Sequence, residues 1–185
     1  MKSILLVLFV LFSTAAAWAQ NAPAVLGEVD TEWPGIRLQI VKVASIPGNR
    51  LFIGVRIVAG AEAPKGGTLI GTEVPIPPGA TPADIEQGLY NPTPFSLDSA
   101  VMTEERTKKK YPALKAQPGE NYLSGPLLCS LRPLQVEAMG VQFAAPPIEY
   151  DEKGRPLKQV VSIFLPKAKA PINNIVLPPP ANPAR

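Results

Sequence analysis

Gly35–Gly60 reads GIRLQIVKVASIPGNRLFIGVRIVAG, and this stretch decides the fold. Leu51, Ile53, Val55, Ile57 and Ala59 alternate with a period of two, which places them on one face of a strand; a helix with 3.6 residues per turn would scatter them. The preceding arm alternates at Ile36, Leu38 and Ile40, after which Val41 and Val43 take over the apolar phase. A change of phase inside a strand predicts a β-bulge or a move between sheets. Between the arms stand Pro47, Gly48 and Asn49. Proline presets φ, and glycine and asparagine accept positive φ, so the two arms form a hairpin.

Outward from this hairpin the same grammar repeats. Thr68–Ile76 reads as a strand interrupted by Gly71 and Pro75, and Phe95, Leu97, Ser99 and Val101 as another, with Ser96, Asp98 and Ala100 opposite. Leu123–Leu131, Val136–Ala144 and Lys158–Leu165 follow, the last introduced by a polar turn at Asp151–Arg155, and Pro171–Leu177 adds an edge strand. The one helical signal is Thr81–Gly88, with Thr81 as cap, Pro82 at the first helical position and Gly88 as terminator. The chain's 23 prolines forbid long helices and interrupt central strands. Seven or eight short strands with almost no helix predict an all-β antiparallel sandwich of one domain over residues 35–177.

Residues 20–34 read as a leader and 178–185 as a proline-rich disordered tail of extended polyproline character. Met1–Ala19 has one cation, Lys2, an apolar run from Ile4 to Phe12, and Ala17-Trp18-Ala19. That is the layout of a cleaved secretory signal peptide. The apolar run falls short of the roughly 20 residues a membrane-spanning helix needs. The mature chain, 166 residues from Gln20, is thus expected to be exported to the periplasm or medium without a transmembrane anchor. It is long enough to bury a core without disulfides. Its one cysteine, Cys129, lies in an apolar run and reads as a small buried hydrophobe, the alternative being a thiol that pairs two chains. Loss of Lys2 lowers the net charge from +3 to +2, and a single local basic cluster argues against nucleic acid as a partner.

Several of these stretches carry a resemblance. The hairpin from Gly35, Phe95–Ser99 (FSLDS), Tyr111-Pro112, Pro118-Gly119, Gly125 and Val141–Pro147 (VQFAAPP) resemble a family of small exported bacterial immunoglobulin-like domains, mostly of unknown function. A secreted immunogenic mycobacterial antigen shares that fold. The resemblance covers about Gly35 to Leu165 and implies an immunoglobulin-like sandwich. The chain departs from the family pattern at Val58-Ala59-Gly60 and in the charged insertion TEERTKKK.

The chain has no histidine, which removes Ser-His-Asp and Cys-His catalysis and every histidine-ligated metal site. No Ser-x-x-Lys or Gly-x-Ser-x-Gly occurs, and Gly66-Gly67-Thr68 lacks the spacing of a phosphate loop. Glu104-Glu105 and Asp151-Glu152 are adjacent carboxylates with cations beside them, which reads as solvated turns more readily than as a glycosidase pair. No enzyme activity, cofactor or metal is expected. What remains is a basic loop with an aromatic beside it: Arg106, Lys108, Lys109, Lys110 and Tyr111. Such a charge run, half balanced by Glu104 and Glu105, commonly does no more than solvate a turn. As a contact it is the candidate surface for a protein or envelope partner, because loops carry function more often than the scaffold. The expected function is a non-enzymatic exported binding module acting through loops at one end of the sandwich. The alternatives are a structural or chaperone-like envelope subunit that assembles by strand addition, and a small-ligand carrier.

Overall fold

The computed structural model describes residues 24–72, 93–115 and 126–179. The described chain is all-β and antiparallel, as the apolar alternation predicts. The central hairpin pairs β2 (Ile36–Ile46) with β3 (Arg50–Ala59). Its register steps from Ile40↔Val55 to Lys42↔Gly54, leaving Val41 as the bulge. Gly48 and Asn49 take φ of 82° and 55° in the connecting turn, the positive values this turn chemistry favours. On one flank β2 pairs with β1 (Gly27–Asp30). On the other, β3 pairs along its whole length with β9 (Val136–Ala144).

β7 (Lys110–Leu114) joins two halves of one sheet. Its last residues, Ala113 and Leu114, pair with β9, and Lys110–Pro112 pair with β6 (Val101–Glu104). β6 continues to β10 (Val160–Phe164) and thence to β11 (Ile172–Val176). The resulting order is β1-β2-β3-β9-β7-β6-β10-β11. The two end strands then meet. Thr31 bridges Ala168, the Lys169 N–H donates to Asp30 O at 2.9 Å, and a Cβ on Gly27 would collide with Ile172. The eight strands therefore curl into a barrel-like sandwich.

The inward-facing residues of β2, β3, β6, β9 and β10 supply most of the core. Ile36, Leu38, Ile53, Val55, Ile57, Val141, Phe143, Met102, Val161 and Ile163 are all at most 3% exposed. Each such aliphatic or aromatic side chain contributes roughly 1.5–3 kcal/mol by leaving water. A second, three-stranded sheet consists of β5 (Thr93–Pro94), β4 (Thr68–Thr72) and β8 (Cys129–Leu131). It covers the end of the barrel opposite the Pro47–Asn49 turn: Phe95 meets Trp33 edge-on at 5.0 Å, and Thr68 Oγ1 donates to Pro34 O.

Several expectations are corrected in detail. The stretch read as a leader contributes β1, because Glu28 and Gln39 bond across the strands and the Glu28 carboxylate meets Arg37 at 2.9 Å. Phe95–Val101 is not a continuous strand. The Ser96 hydroxyl accepts the Asp98 N–H at 3.1 Å and the Leu97 carbonyl accepts the Ala100 N–H at 2.9 Å, so local turn chemistry overrides the alternation. Strand β8 begins only at Cys129, whose side chain is half-buried against the core. The helical signal at 81–88, the tail beyond Pro179 and the Met1–Ala19 segment lie outside the described residues. No described helix is long and apolar enough to cross a membrane.

Candidate functional site

The loop TEERTKKK is a tight hairpin turn between β6 and β7, held from inside by its own first residues. Glu104 N–H donates to Lys109 O and the Lys108 N–H to Glu104 O, both at 2.9 Å. Lys108 completes the turn with a φ of 59°. Glu104 itself is buried, and its carboxylate accepts the N–H groups of Arg106 and Thr107 at 3.1 and 2.7 Å and the Thr107 hydroxyl. Burial alone would raise its pKa. The three hydrogen bonds and the nearby Arg106 outweigh that and hold the carboxyl below its ordinary range.

Glu105 is tied outward, accepting from the Ser162 hydroxyl on β10 and from Lys108 Nζ at 3.1 Å. These bonds, Ser162 foremost, also lower its pKa. Its backbone N–H donates to Val160 O at 3.0 Å, which locks the turn to the start of β10. Arg106 pairs with Glu149. That residue belongs to the connection from β9 to β10, which folds as a small arm: Leu157 N–H donates to Glu149 O at 2.7 Å and Tyr150 bridges Pro156. The arm's tip is the expected polar turn, with the Asp151 carboxylate accepting from the Lys153 and Arg155 N–H groups and from Arg155 Nε.

Between hairpin and arm lies a groove of about 700 Å³. Tyr111, Pro146, Pro147, Leu157 and Val160 give it an apolar lining, and Lys109 and Lys158 also line it. Lys109 Nζ stands 5.4 Å from the centre of the Tyr111 ring, within cation–π range. The phenol is almost buried, and desolvation followed by the nearby Glu104 raises its pKa, so it stays neutral at physiological pH. Smaller clefts continue along the same end of the barrel beneath the Pro47–Asn49 turn and beside Leu177 and Pro178.

The five residues singled out from the sequence are thus divided by the fold. Arg106, Lys109 and Tyr111 line the groove. Lys108 is paired with Glu105, and Lys110 is an exposed strand residue opposite Thr103; neither lines the groove. The sequence reading missed Lys158, Leu157 and the Pro146-Pro147 wall. The pairing of β6 with β10, with Val161 opposite Glu104, and that of β7 with β9 bring these stretches beside the hairpin, and registers between strands so distant in sequence leave no local signal.

Cys129 is remote from this groove. Burial, and then Glu137, raise its thiol pKa, which makes it a weak nucleophile. Among the described residues no three His, Cys, Asp or Glu side chains cluster to hold a metal. No family model, curated protein or solved structure matches the chain.

Proposed function

We propose that the chain is a non-enzymatic, exported binding module, and that its contact surface is the groove between the β6–β7 hairpin and the β9–β10 arm. The observation that carries this reading is the groove's construction. Its volume falls within the roughly 300–1,000 Å³ typical of ligand sites, and such sites are mostly apolar with a few fixed polar groups. Both of its sides are hydrogen-bonded into the barrel, so the cleft is preformed. Export rests on the signal-like layout of Met1–Ala19.

Strand addition is the weaker reading. It asks for a long free edge, whereas the end strands of the large sheet meet each other, and β5 and β8 pair over two and three residues.

Native mass spectrometry of the protein purified from its own host tests the proposal, comparing wild type with Leu157→Trp, which fills the groove. The wild type is expected to carry a bound species that the variant has lost. Equal retention by both would overturn the assignment of the groove.

A further inference from the structure

We infer that the groove takes a small organic anion with an apolar body, its acid group held by Lys109 and Lys158 and its body laid against Tyr111, Leu157 and the two prolines. This rests on the groove being the binding surface, and it follows from how the charges there are already used. Three carboxylates line the cleft, and each is occupied. Glu104 serves the backbone of its own turn, Glu105 serves Ser162 and Lys108, and Glu149 serves Arg106. A cationic ligand would have to share a carboxylate that already serves a partner.

The cations divide differently. Arg106 is neutralised by Glu149, but Lys109 and Lys158 have no ion pair among the described residues. Both stand on anchored backbone. Lys109 closes the hairpin through its carbonyl and lies over the Tyr111 ring. Lys158 is followed by Gln159, whose side chain donates to Pro147 O at 2.7 Å and whose carbonyl accepts the Leu177 N–H at 3.0 Å. Two groove lysines with no ion pair among the described residues, beside an aromatic and proline-rich lining, complement one acid group on a flat or alicyclic body. Two exposed charges do not make an extended basic face, so a polyanion such as nucleic acid is a poor fit.

The test is a titration of the ¹⁵N-labelled protein, followed by amide chemical shifts, with three probes of one shape: 2-naphthoate, 2-naphthalenemethanol and 2-naphthylmethylammonium. The expected result is that naphthoate shifts the amides of Lys109, Tyr111, Gln159 and Val160 and binds on the order of tenfold more tightly than the alcohol, the modest gain that exposed charge contacts give. Lys109→Gln combined with Lys158→Gln should remove that preference, so that naphthoate and the alcohol bind the variant equally. Should the double variant misfold, the wild type decides, because its preference for naphthoate should shrink as salt rises. Equal binding of all three probes in the groove would overturn the anion assignment and leave the groove as the site. Failure of every probe to shift the groove amides would overturn both.

Discussion

The carboxylate of Glu104, at the end of β6, accepts the backbone N–H of Thr107 at 2.7 Å across the turn that leads into β7. A charged residue is thereby buried at the rim of the barrel, and the hairpin beside the groove is tied by hydrogen bonds to its own first residue. The net charge of the TEERTKKK segment matters less to its shape than this one acceptor does.

Replacing Glu104 with alanine leaves the Arg106 and Thr107 N–H groups without their acceptor in a partly buried place. Unsatisfied donors of this kind cost about 1–3 kcal/mol. Urea denaturation should show a loss of that size, and the Thr107 amide should exchange faster with solvent. An unchanged midpoint would show that the turn holds without the carboxylate.

Acid should weaken the fold through the same groups. Glu104, Glu105 and Asp151 all titrate below their ordinary values of 4.5, 4.5 and 3.8 in the folded chain. For Asp151 the main cause is the Arg155 backbone bond. Their ionised forms therefore favour folding, fully above those ordinary values, and the contribution is lost as pH falls through the lowered folded ones. The urea midpoint should be insensitive to these groups between pH 7 and about 5 and should fall below about pH 4. Glu104→Gln should flatten that fall; an identical slope in the variant would remove Glu104 from the account.

Gly35 turns the chain into β2 with a φ of 68°, and a Cβ there would lie 2.6 Å from the Cα of Ala63. Backbone cannot move aside as a flexible side chain can. Gly35→Ala combines this overlap with left-handed strain and should cost about 1–3 kcal/mol or more. Thermal unfolding checks it, and a stability equal to wild type would contradict the placement of the Gly60–Gly67 loop against this turn.

Thr31 closes the barrel seam. Its buried hydroxyl donates to Ile36 O at 2.8 Å and accepts the Trp33 N–H at 3.1 Å, and its backbone bridges Ala168. Thr31→Val keeps the shape and loses both bonds, so a destabilisation of about 1–2 kcal/mol is expected. Calorimetry showing no change would mean that water replaces the hydroxyl.

Much of the scaffold was legible because its signals are local. The bulge at Val41 follows from a phase change within one strand, and the Pro47–Asn49 and Asp151–Arg155 turns follow from residues that prefer those dihedrals. Where local signals competed, the reading failed. Phe95, Leu97, Ser99 and Val101 alternate as a strand should, yet Ser96 bonds the backbone two residues on and bends the chain. Gly27–Asp30 has little apolar content, and its strand exists because Glu28 and Asp30 find Gln39 and Arg37 opposite them. The site was half legible. Arg106, Lys109 and Tyr111 belong to one charged segment, but Lys158 reaches them only through the pairing of β6 with β10, which joins residues more than fifty positions apart.

The most direct test of the groove as the contact surface is photo-crosslinking in the cells that make the protein, with benzoylphenylalanine at Leu157 in the groove or at Lys65 in the loop at the opposite end. Intact-mass analysis of the recovered chain should show a crosslinked adduct from position 157 and none from position 65. An adduct from position 65 alone, or none from either position, would contradict the account.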